Sequence, residues 1–451
     1  MRRALQIRNW KRLGVAGIVA FGAVQVAESR SFSADVGCAS TKGSFAFYYS
    51  PRLTEEELSW LTRFNIVVTG SVLPEIQSRE LKRSEAKLFL YHWLTGFYRE
   101  NSPAKPHDRS WESFVYHSRP QWLLNPKRPD AGPDGRGSAY YYDPYHSDLR
   151  FAWAKRLAQA TENSSYDGVF FDLVGNPALP EQLRQLYQER HPEMSYDQAL
   201  SGFLRSLKRL GPDVLRFTNQ GYRVPDAYLP LAEYDLSESL MTSYAWGEKV
   251  KIFVEGEGPV EKLETFYRSW EELKQIVDRA TTDITQYNPK LKIFHLNYVN
   301  PRYVPTGRME KIGGQEHAVF RKEIDRPAIY YGYAAAKLWG QESYSPSPEA
   351  MGFGQDEIYF VALGKPLGQS YEERDGLVRR YYEKGVAVVN PSEHRRVASL
   401  GSPFIPGEAK GLWDCYERKS VGGFTVAVEP TVSFTSARSY PAGRVYLYLS
   451  H

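Results

Sequence analysis

The sequence predicts an α/β protein, a (β/α)8 TIM barrel followed by a small antiparallel β domain. Between residues 40 and 352, short apolar strand-like segments alternate with helical segments, in the number expected for a closed parallel barrel. From residue 353 to 451 the helical periodicity fades, and strand-like runs are separated by turn residues. A doubly wound open sheet is the alternative, but no Gly-rich phosphate-binding turn follows the first predicted strand. We therefore expect one barrel domain and one β domain.

The predicted barrel strands are short and rich in β-branched or aromatic residues, as buried parallel strands are. They cover residues 44–49, 65–72, 87–93, 167–172, 214–218, 233–237, 292–298 and 342–345. Amphipathic periodicity and capping residues predict helices at 53–64, 147–163, 195–210, 259–279 and 326–339, and a charged helical stretch ending near residue 85. Residues 96–142 are irregular and rich in aromatics, so we expect a lid or cleft wall, or aromatics that anchor a loop to the body.

Residues 1–34 are predicted to form a signal peptide or an N-terminal anchor. Basic residues at positions 2–12 precede an uncharged run at 13–27, which is the order found in export signals. That run is shorter than the roughly 20 apolar residues of a membrane span. We expect an exported protein, periplasmic or extracellular, with membrane attachment only through this segment if at all.

Composition excludes several partners and cofactors. The formal net charge is +4 with no basic stripe, so we expect no nucleic-acid partner. Cys38 and Cys415 could form one disulfide, which the sequence leaves open, and no Cys or His spacing marks a metal site. We expect no metal and no cofactor. Aromatic residues make up 14% of the chain, with 32 tyrosines, a content that suits clefts for sugars.

Polar residues follow several predicted barrel strands. Asp172 ends the apolar run 167–172, Asn219 follows the fifth strand, Glu238 the sixth, and Asn297 lies at the end of the seventh. Since the C-terminal ends of barrel strands open onto one face, these side chains should converge. Two carboxylates flanked by amides suit cleavage of a glycosidic bond, with Asp172 as nucleophile and Glu238 as general acid/base.

The two carboxylates and the predicted sugar contacts can each be interpreted in more than one way. Structural roles compete with this interpretation: either carboxylate could cap a helix or pair with an arginine such as Arg223, and Asp143 could cap a turn. A carboxylate separation of about 5 Å would imply retention of anomeric configuration, and one nearer 8 Å inversion. The predicted sugar contacts are Trp93, Asp143, Asn219, Tyr222, Tyr244 and Asn297.

Several motifs resemble one group of enzymes. Residues 142–150 (YDPYHSDLR), followed one helix later by 166–172 (YDGVFFD), resemble TIM-barrel glycosidases grouped as hypothetical glycosyl hydrolases. That group is related to endo-α-1,4-polygalactosaminidases and to hydrolase domains of bacterial exopolysaccharide systems. Residues 217–219 (FTN), 236–240 (LSESL) and 379–392 are similar to later segments of it, so the resemblance covers residues 44–392 in patches.

The resemblance implies a glycoside hydrolase with Asp172 and Glu238 as its catalytic pair, acting on a polysaccharide or oligosaccharide. The chain departs from the group at residues 175–177 (GNP), where some relatives carry another acid, and in its long aromatic loop. The alternative is a catalytically inactive barrel that binds glycan at the cell surface. An enzyme for nucleotides or phosphate-bearing substrates is disfavoured because the phosphate loop is absent from the sequence.

Overall fold

A computed structural model gives the fold. It describes residues 42–49, 52–99, 110–132, 137–172, 174, 179–244, 250–262, 265–345, 356–401, 403–432 and 439–449. The predicted N-terminal signal or anchor and Cys38 lie outside these residues, so export and the disulfide stay predictions. Among the helices of the described residues, none combines the length and apolar character that crossing a membrane requires.

Eight parallel strands form a nearly closed barrel, which confirms the predicted TIM-barrel architecture. They pair in chain order, so each strand lies beside the next. The first and last strands end this order and meet through side chains, with the rings of Phe45 and Tyr344 6.0 Å apart. The strands are β1 (Gly43–Tyr48), β2 (Phe64–Thr69), β3 (Lys87–Trp93), β4 (Gly168–Asp172), β5 (Leu215–Asn219), β6 (Tyr234–Glu238), β7 (Lys292–Leu296) and β8 (Glu342–Tyr344).

Aromatic rings fill the barrel interior. Phe217 packs against Phe89, Phe170 and Phe294 with ring centroids 5.1–5.6 Å apart, and Phe47 lies 5.0 Å from Phe170. Because alternate residues of a strand point to the same face, residues two positions further along the chain stand directly above this layer. The C-terminal face of the barrel therefore has an apolar, aromatic floor.

Helices surround the barrel, and several of them begin at a capping side chain. The Thr54 and Ser195 side chains each form a reciprocal capping box with the residue three positions later. The helices are α1 (Glu55–Leu61), α2 (Glu75–Arg83), α3 (Trp111–Ser118), α4 (Ser147–Glu162), α5 (Glu181–Arg190), α6 (Tyr196–Leu210), α7 (Pro225–Tyr228), α8 (Trp270–Tyr287) and α9 (Arg326–Leu338), with short 3-10 helices at Pro120–Trp122, Gly221–Arg223, Leu229–Leu231 and Glu357–Phe360.

The predicted helix at 259–279 is wrong over its first half. Gly258–Lys262 is an edge strand paired with Val250–Val254, and α8 begins only at Trp270. Ser269 caps the helix there, because its hydroxyl accepts a hydrogen bond from the Glu272 amide at 3.4 Å. Proline is common in the first turn of a helix, so Pro259 is compatible with a helix start by sequence. It stands instead on an edge strand, where a missing N–H is tolerated.

Insertions after β3, β6 and β7 extend the barrel on its C-terminal side. Residues 96–141 contribute α3 and a three-stranded sheet of Gly96–Tyr98, Asp130–Ala131 and Ser138–Tyr141. Trp111, Trp122 and Tyr140 to Tyr142 are buried there, so they anchor the insertion and do not offer stacking surfaces in a cleft. Beyond β6 and β7, Val250–Val254, Gly258–Lys262, Arg302–Ile312 and Gln315–Glu323 form a four-stranded sheet, and Thr242–Tyr244 pairs with Thr265–Tyr267.

The region after the barrel forms antiparallel sheets, as predicted. The main sheet has six strands in the order Glu372–Arg374, Leu377–Tyr382, Gly385–Asn390, Ala442–Leu449, Gly411–Asp414 and Lys419–Gly422. Two smaller ladders pair Arg396–Ser399 with Thr425–Val428 and Thr431–Val432 with Ser439–Tyr440. The predicted boundary between residues 352 and 353 lies outside the described residues and stays a prediction.

Helix α9 joins the barrel to the C-terminal sheet. Every residue from Pro327 to Leu338 is buried, as expected for a helix covered on all sides. The Tyr330 hydroxyl donates to the Cys415 carbonyl at 2.9 Å, and Arg380 Nη1 donates to the Leu338 carbonyl at 3.0 Å. Gly443 allows the close approach, since a Cβ at this position would lie 2.4 Å from the Tyr330 carbonyl oxygen.

Replacing Gly443 by Ala should therefore lower the free energy of unfolding by about 2 kcal/mol, because backbone must shift to admit the methyl group. Urea denaturation followed by circular dichroism measures the change. Gly407→Ala is the matched control, since no atom lies within 4 Å of the added Cβ. Equal stability of the two variants would contradict the close packing of α9 on the sheet.

Candidate active site

One amide group joins the two predicted catalytic carboxylates. Asn219 Nδ2 donates a hydrogen bond to Asp172 Oδ1 at 2.7 Å and another to Glu238 Oε2 at 2.6 Å. The two hydrogens of an amide diverge from one nitrogen, which places these oxygens roughly 4–5 Å apart. The structure thus brings Asp172, Asn219 and Glu238 together, at the C-terminal ends of the adjacent strands β4, β5 and β6.

Two tyrosines hold the remaining carboxylate oxygens. The Tyr91 hydroxyl donates to Asp172 Oδ2 at 2.5 Å, and the Tyr298 hydroxyl donates to Glu238 Oε1 at 2.8 Å. The Tyr49 hydroxyl lies 3.4 Å from the Tyr298 hydroxyl. Because Tyr49 is 47% exposed, the cluster of carboxylates and tyrosines is open to solvent beside Tyr49. Each carboxylate accepts one hydrogen bond from Asn219 and one from a tyrosine.

The sequence interpretation did not identify Tyr49, Tyr91 or Tyr298. All three share the inward-facing alternation of the barrel aromatics: each stands two residues beyond an interior residue of its own strand, as Tyr91 does beyond Phe89. This alternation was the available signal, since it also marks Asp172 beyond Phe170 and Asn219 beyond Phe217. The same alternation places the Asn297 side chain on the outer face of the barrel, away from the carboxylates.

Tight turns fix the side chains at the strand ends. The residues that follow Asn219 and Glu238, Gln220 and Ser239, have φ angles of 61° and 55°, which non-glycine residues rarely adopt. Their amides donate to the carbonyls of Leu236 at 2.7 Å and Leu296 at 2.8 Å, so each turn is tied to the neighbouring strand. Such a conformation costs energy and persists only where its surroundings enforce it.

Asp235 is the buried group that supports the turn after Asn219. Its carboxylate accepts hydrogen bonds from the Thr218 hydroxyl at 2.6 Å and from the amides of Gly221 and Tyr222 at 2.9 Å each. Burial raises the pKa of Asp235 to about 7, although these three donors favour its charged form. Asp235 thus connects the start of β6 to residues on both sides of Asn219, which bridges the carboxylates.

The environment favours a proton on Glu238. Burial raises its pKa first, and the nearby charge of Asp172 raises it further. The hydrogen bonds from Asn219 and Tyr298 and the charge of Arg223 oppose this rise without cancelling it. Burial followed by the charge of Asp172 also raises the pKa of Tyr91, which therefore stays a hydrogen-bond donor.

Asn297 does not reach the cleft. It is fully buried, its Oδ1 accepts from the Met241 amide at 2.9 Å, and its Nδ2 donates to the Ser343 hydroxyl at 2.9 Å. The predicted sugar contact is therefore corrected: Asn297 fastens the chain beyond β6 to β8. The neighbouring residue, Tyr298, is the one that points to the carboxylates.

The remaining predicted sugar contacts are dispersed. Trp93 ends β3 beside Asp172 but is buried, and its Nε1 donates to the Thr95 hydroxyl at 2.7 Å. Tyr222 packs against a small apolar cluster beside the β5–β6 connection. Tyr244 lies in the short strand after β6, and its side chain falls outside the described part of the chain.

Asp143 also has structural partners. It is buried, its Oδ1 accepts from the Tyr145 amide at 3.2 Å, and its Oδ2 lies 3.0 Å from His191 Nε2. This matches the turn-capping alternative for Asp143 more closely than the predicted sugar contact. In the residues that the structure describes, no three His, Cys, Asp or Glu side chains gather as metal ligands.

No protein-family model matches the sequence, and no curated protein matches it. Solved structures that resemble the fold include glycoside hydrolases. One is the glycoside hydrolase domain of PelA from Pseudomonas aeruginosa, with 17% identity, a TM-score of 0.44, and coverage of 70% of this chain and 98% of that one. An Anoxybacillus α-amylase has 9% identity, a TM-score of 0.46, and coverage of 91% and 99%.

A family 5 glycoside hydrolase from Bacteroides vulgatus also resembles the fold, with 9% identity, a TM-score of 0.40, and coverage of 90% of this chain and 89% of that one. Likenesses this distant do not transfer residues or substrates. The barrel assignment rests on the strand pairing of this chain itself.

Two substitutions should move the pKa of Glu238 in opposite directions. Asp172→Asn removes a neighbouring negative charge, so the pKa of Glu238 should fall. Tyr298→Phe removes a hydrogen bond to the charged form, so the pKa should rise. Carbon-13 NMR of glutamate carboxyls during a pH titration measures both shifts.

Asp226→Asn serves as the control, because Asp226 is exposed and should leave the titration of Glu238 unchanged. Shifts of the same sign in Asp172→Asn and Tyr298→Phe would contradict the arrangement described for the two carboxylates.

Proposed function

We propose that this chain is an exported glycoside hydrolase that cleaves a polysaccharide or oligosaccharide with retention of anomeric configuration. Asp172 is the nucleophile and Glu238 the general acid/base. The observation that carries this proposal is the pair of hydrogen bonds from Asn219 Nδ2, one to each carboxylate. Retaining glycosidases hold their carboxyl groups about 5–5.5 Å apart, whereas inverting enzymes need roughly 6.5–9.5 Å to admit a water.

In the first step, the proton of Glu238 moves to the glycosidic oxygen as the bond to the anomeric carbon breaks. Asp172 attacks that carbon from the opposite face and forms a glycosyl ester. In the second step, Glu238, now ionised, takes a proton from water. The resulting hydroxyl bonds to the anomeric carbon, and Asp172 leaves as a carboxylate.

The surroundings of the two carboxylates support this division of roles. Burial and the charge of Asp172 raise the pKa of Glu238, which is the direction that a general acid requires. Asp172 accepts hydrogen bonds from Tyr91 and Asn219, which stabilise and orient an ionised nucleophile. The exposed ring of Tyr49 beside the pair offers an apolar face with a hydroxyl, which suits a sugar.

The support for export comes only from the sequence. The basic segment at 2–12 and the uncharged run at 13–27 have the order of a signal peptide or anchor. A periplasmic or extracellular location would bring the enzyme to carbohydrate polymers.

Asp172→Asn should lower kcat by at least about 10³-fold, because an amide cannot form the glycosyl ester. It should leave binding of the same polymer nearly unchanged, since an amide has almost the same shape as a carboxylate. Release of reducing ends from a panel of polysaccharides measures hydrolysis, and calorimetry measures binding.

Glu257→Gln, which alters an exposed glutamate in the turn between two strands of the inserted sheet, provides the control and should hydrolyse at the native rate. Native turnover by Asp172→Asn would refute the nucleophile assignment. Binding without hydrolysis by the native chain would favour the catalytically inactive barrel.

Retention itself can be tested on the first product released. Proton NMR of a reaction followed from its first minutes should show the anomer of the substrate before mutarotation mixes the two forms, because two displacements restore the configuration. Initial appearance of the opposite anomer would mean that a water, and not Asp172, attacks the sugar.

A further inference from the structure

A second concave surface lies outside the barrel, between α4 and α6. It is a groove of about 660 Å³, open to solvent along its length. Three arginines line it with polar and apolar groups, and only one carboxylate, that of Asp148, belongs to the lining. The residues are Ser147, Asp148, Arg150, Phe151, Met194, Gln198, Gly202, Arg205, Ser206 and Arg209.

The local packing orients the arginines. Arg150 Nη1 donates to the carbonyls of Pro144 at 2.7 Å and Tyr145 at 3.2 Å, which fixes the guanidinium beside α6. Gly202 leaves room for it, because a Cβ at this position would lie 3.1 Å from Arg150 Nε. Arg205 Nη2 donates to the Gln198 carbonyl at 3.2 Å. Two of the three cations are thus held in place by main-chain acceptors.

We propose that this groove, which we call the arginine groove, binds an acidic glycan through the carboxylate or sulfate groups of its sugars. Within the described part of the chain, no carboxylate pairs with the guanidinium groups of Arg150, Arg205 or Arg209. Arg150 and Arg205 repel each other, and burial and this like charge both lower the pKa of Arg150. A bound anion would relieve the repulsion and could accept two parallel N–H bonds from a guanidinium.

The rest of the lining favours a sugar as the carrier of the anion. Phe151 is 44% exposed and Met194 is half-buried, so both can contact the C–H face of a ring. Gln198 and the hydroxyls of Ser147 and Ser206 can bond to sugar hydroxyls. Nucleic acid would need a longer basic track, and the chain carries a formal net charge of only +4.

The arginine groove is separate from the carboxylate pair. Both helices run back from the C-terminal face of the barrel to the N-terminal ends of β4 and β5, so the groove follows the outside of the barrel wall. A polymer bound in the arginine groove would be held on the same protein molecule that carries the proposed cleft. Binding in the arginine groove does not depend on hydrolysis.

The experiment uses the full chain carrying Asp172→Asn, so that turnover cannot interfere. Polygalacturonate and dextran sulfate are the acidic probes, dextran is the neutral one, and vesicles of anionic phospholipid test a membrane surface. Calorimetry should show binding of at least one acidic polysaccharide, weaker at higher salt because the contacts are ionic, and no binding of dextran.

The double variant Arg205→Gln/Arg209→Gln should weaken that binding by about tenfold or more, since two charge-assisted contacts are lost. Gly202→Gln keeps every charge and suits a helix, but its side chain occupies the space of Arg150, so it should weaken binding as well. Arg279→Gln/Arg395→Gln removes two charges from exposed ion pairs elsewhere and should leave binding within twofold.

Three outcomes would overturn the proposal. Undiminished binding by the groove variants would place the glycan elsewhere. An equal loss in the Arg279/Arg395 control would show that net charge alone attracts the polymer. Binding to the vesicles but to neither acidic polysaccharide would identify a membrane headgroup as the ligand. None of these experiments measures hydrolysis. Failure of groove binding can therefore be distinguished from failure of the proposed hydrolase activity.

Discussion

The shared amide of Asn219 is the constraint on which the proposed chemistry depends. A single nitrogen that donates to two carboxylates sets both their separation and their relative orientation. It also brings two acidic groups close enough for the charge of Asp172 to act on Glu238.

That bridge depends in turn on outward-facing residues of the barrel. Asp235 points away from the cleft and ties down the Gly221–Tyr222 backbone just beyond Asn219. Gln220, between them, holds a left-handed conformation that costs energy, so the three hydrogen bonds to Asp235 offset strain at the residue next to the bridge. Buried polar groups behind a site can thus decide the position of groups inside it.

Much of the fold and part of the site follow from sequence. Barrel strands are recognisable because they are buried on both faces and read as short apolar runs, and Asp172 and Glu238 could be found as the carboxylates that end two of them. The predicted helix start at Pro259 was wrong because helix starts and edge strands both accept proline. Asn297 was predicted to face the cleft, but neighbouring residues of an extended chain point to opposite faces. Asn297 is buried on the outer face, and Tyr298 is the residue that faces the carboxylates.

The tyrosines could not be assigned from their type, because most aromatic residues in the described part of the chain pack in its interior. Tyr91 and Tyr298 differ only in standing above the aromatic floor at strand ends, which is a property of register and not of composition. Their hydroxyls act differently on the two acids. Tyr298 favours ionised Glu238, yet burial and the charge of Asp172 outweigh it. The pKa of Glu238 is therefore raised beside Asp172, which is the asymmetry that the proposed double displacement requires.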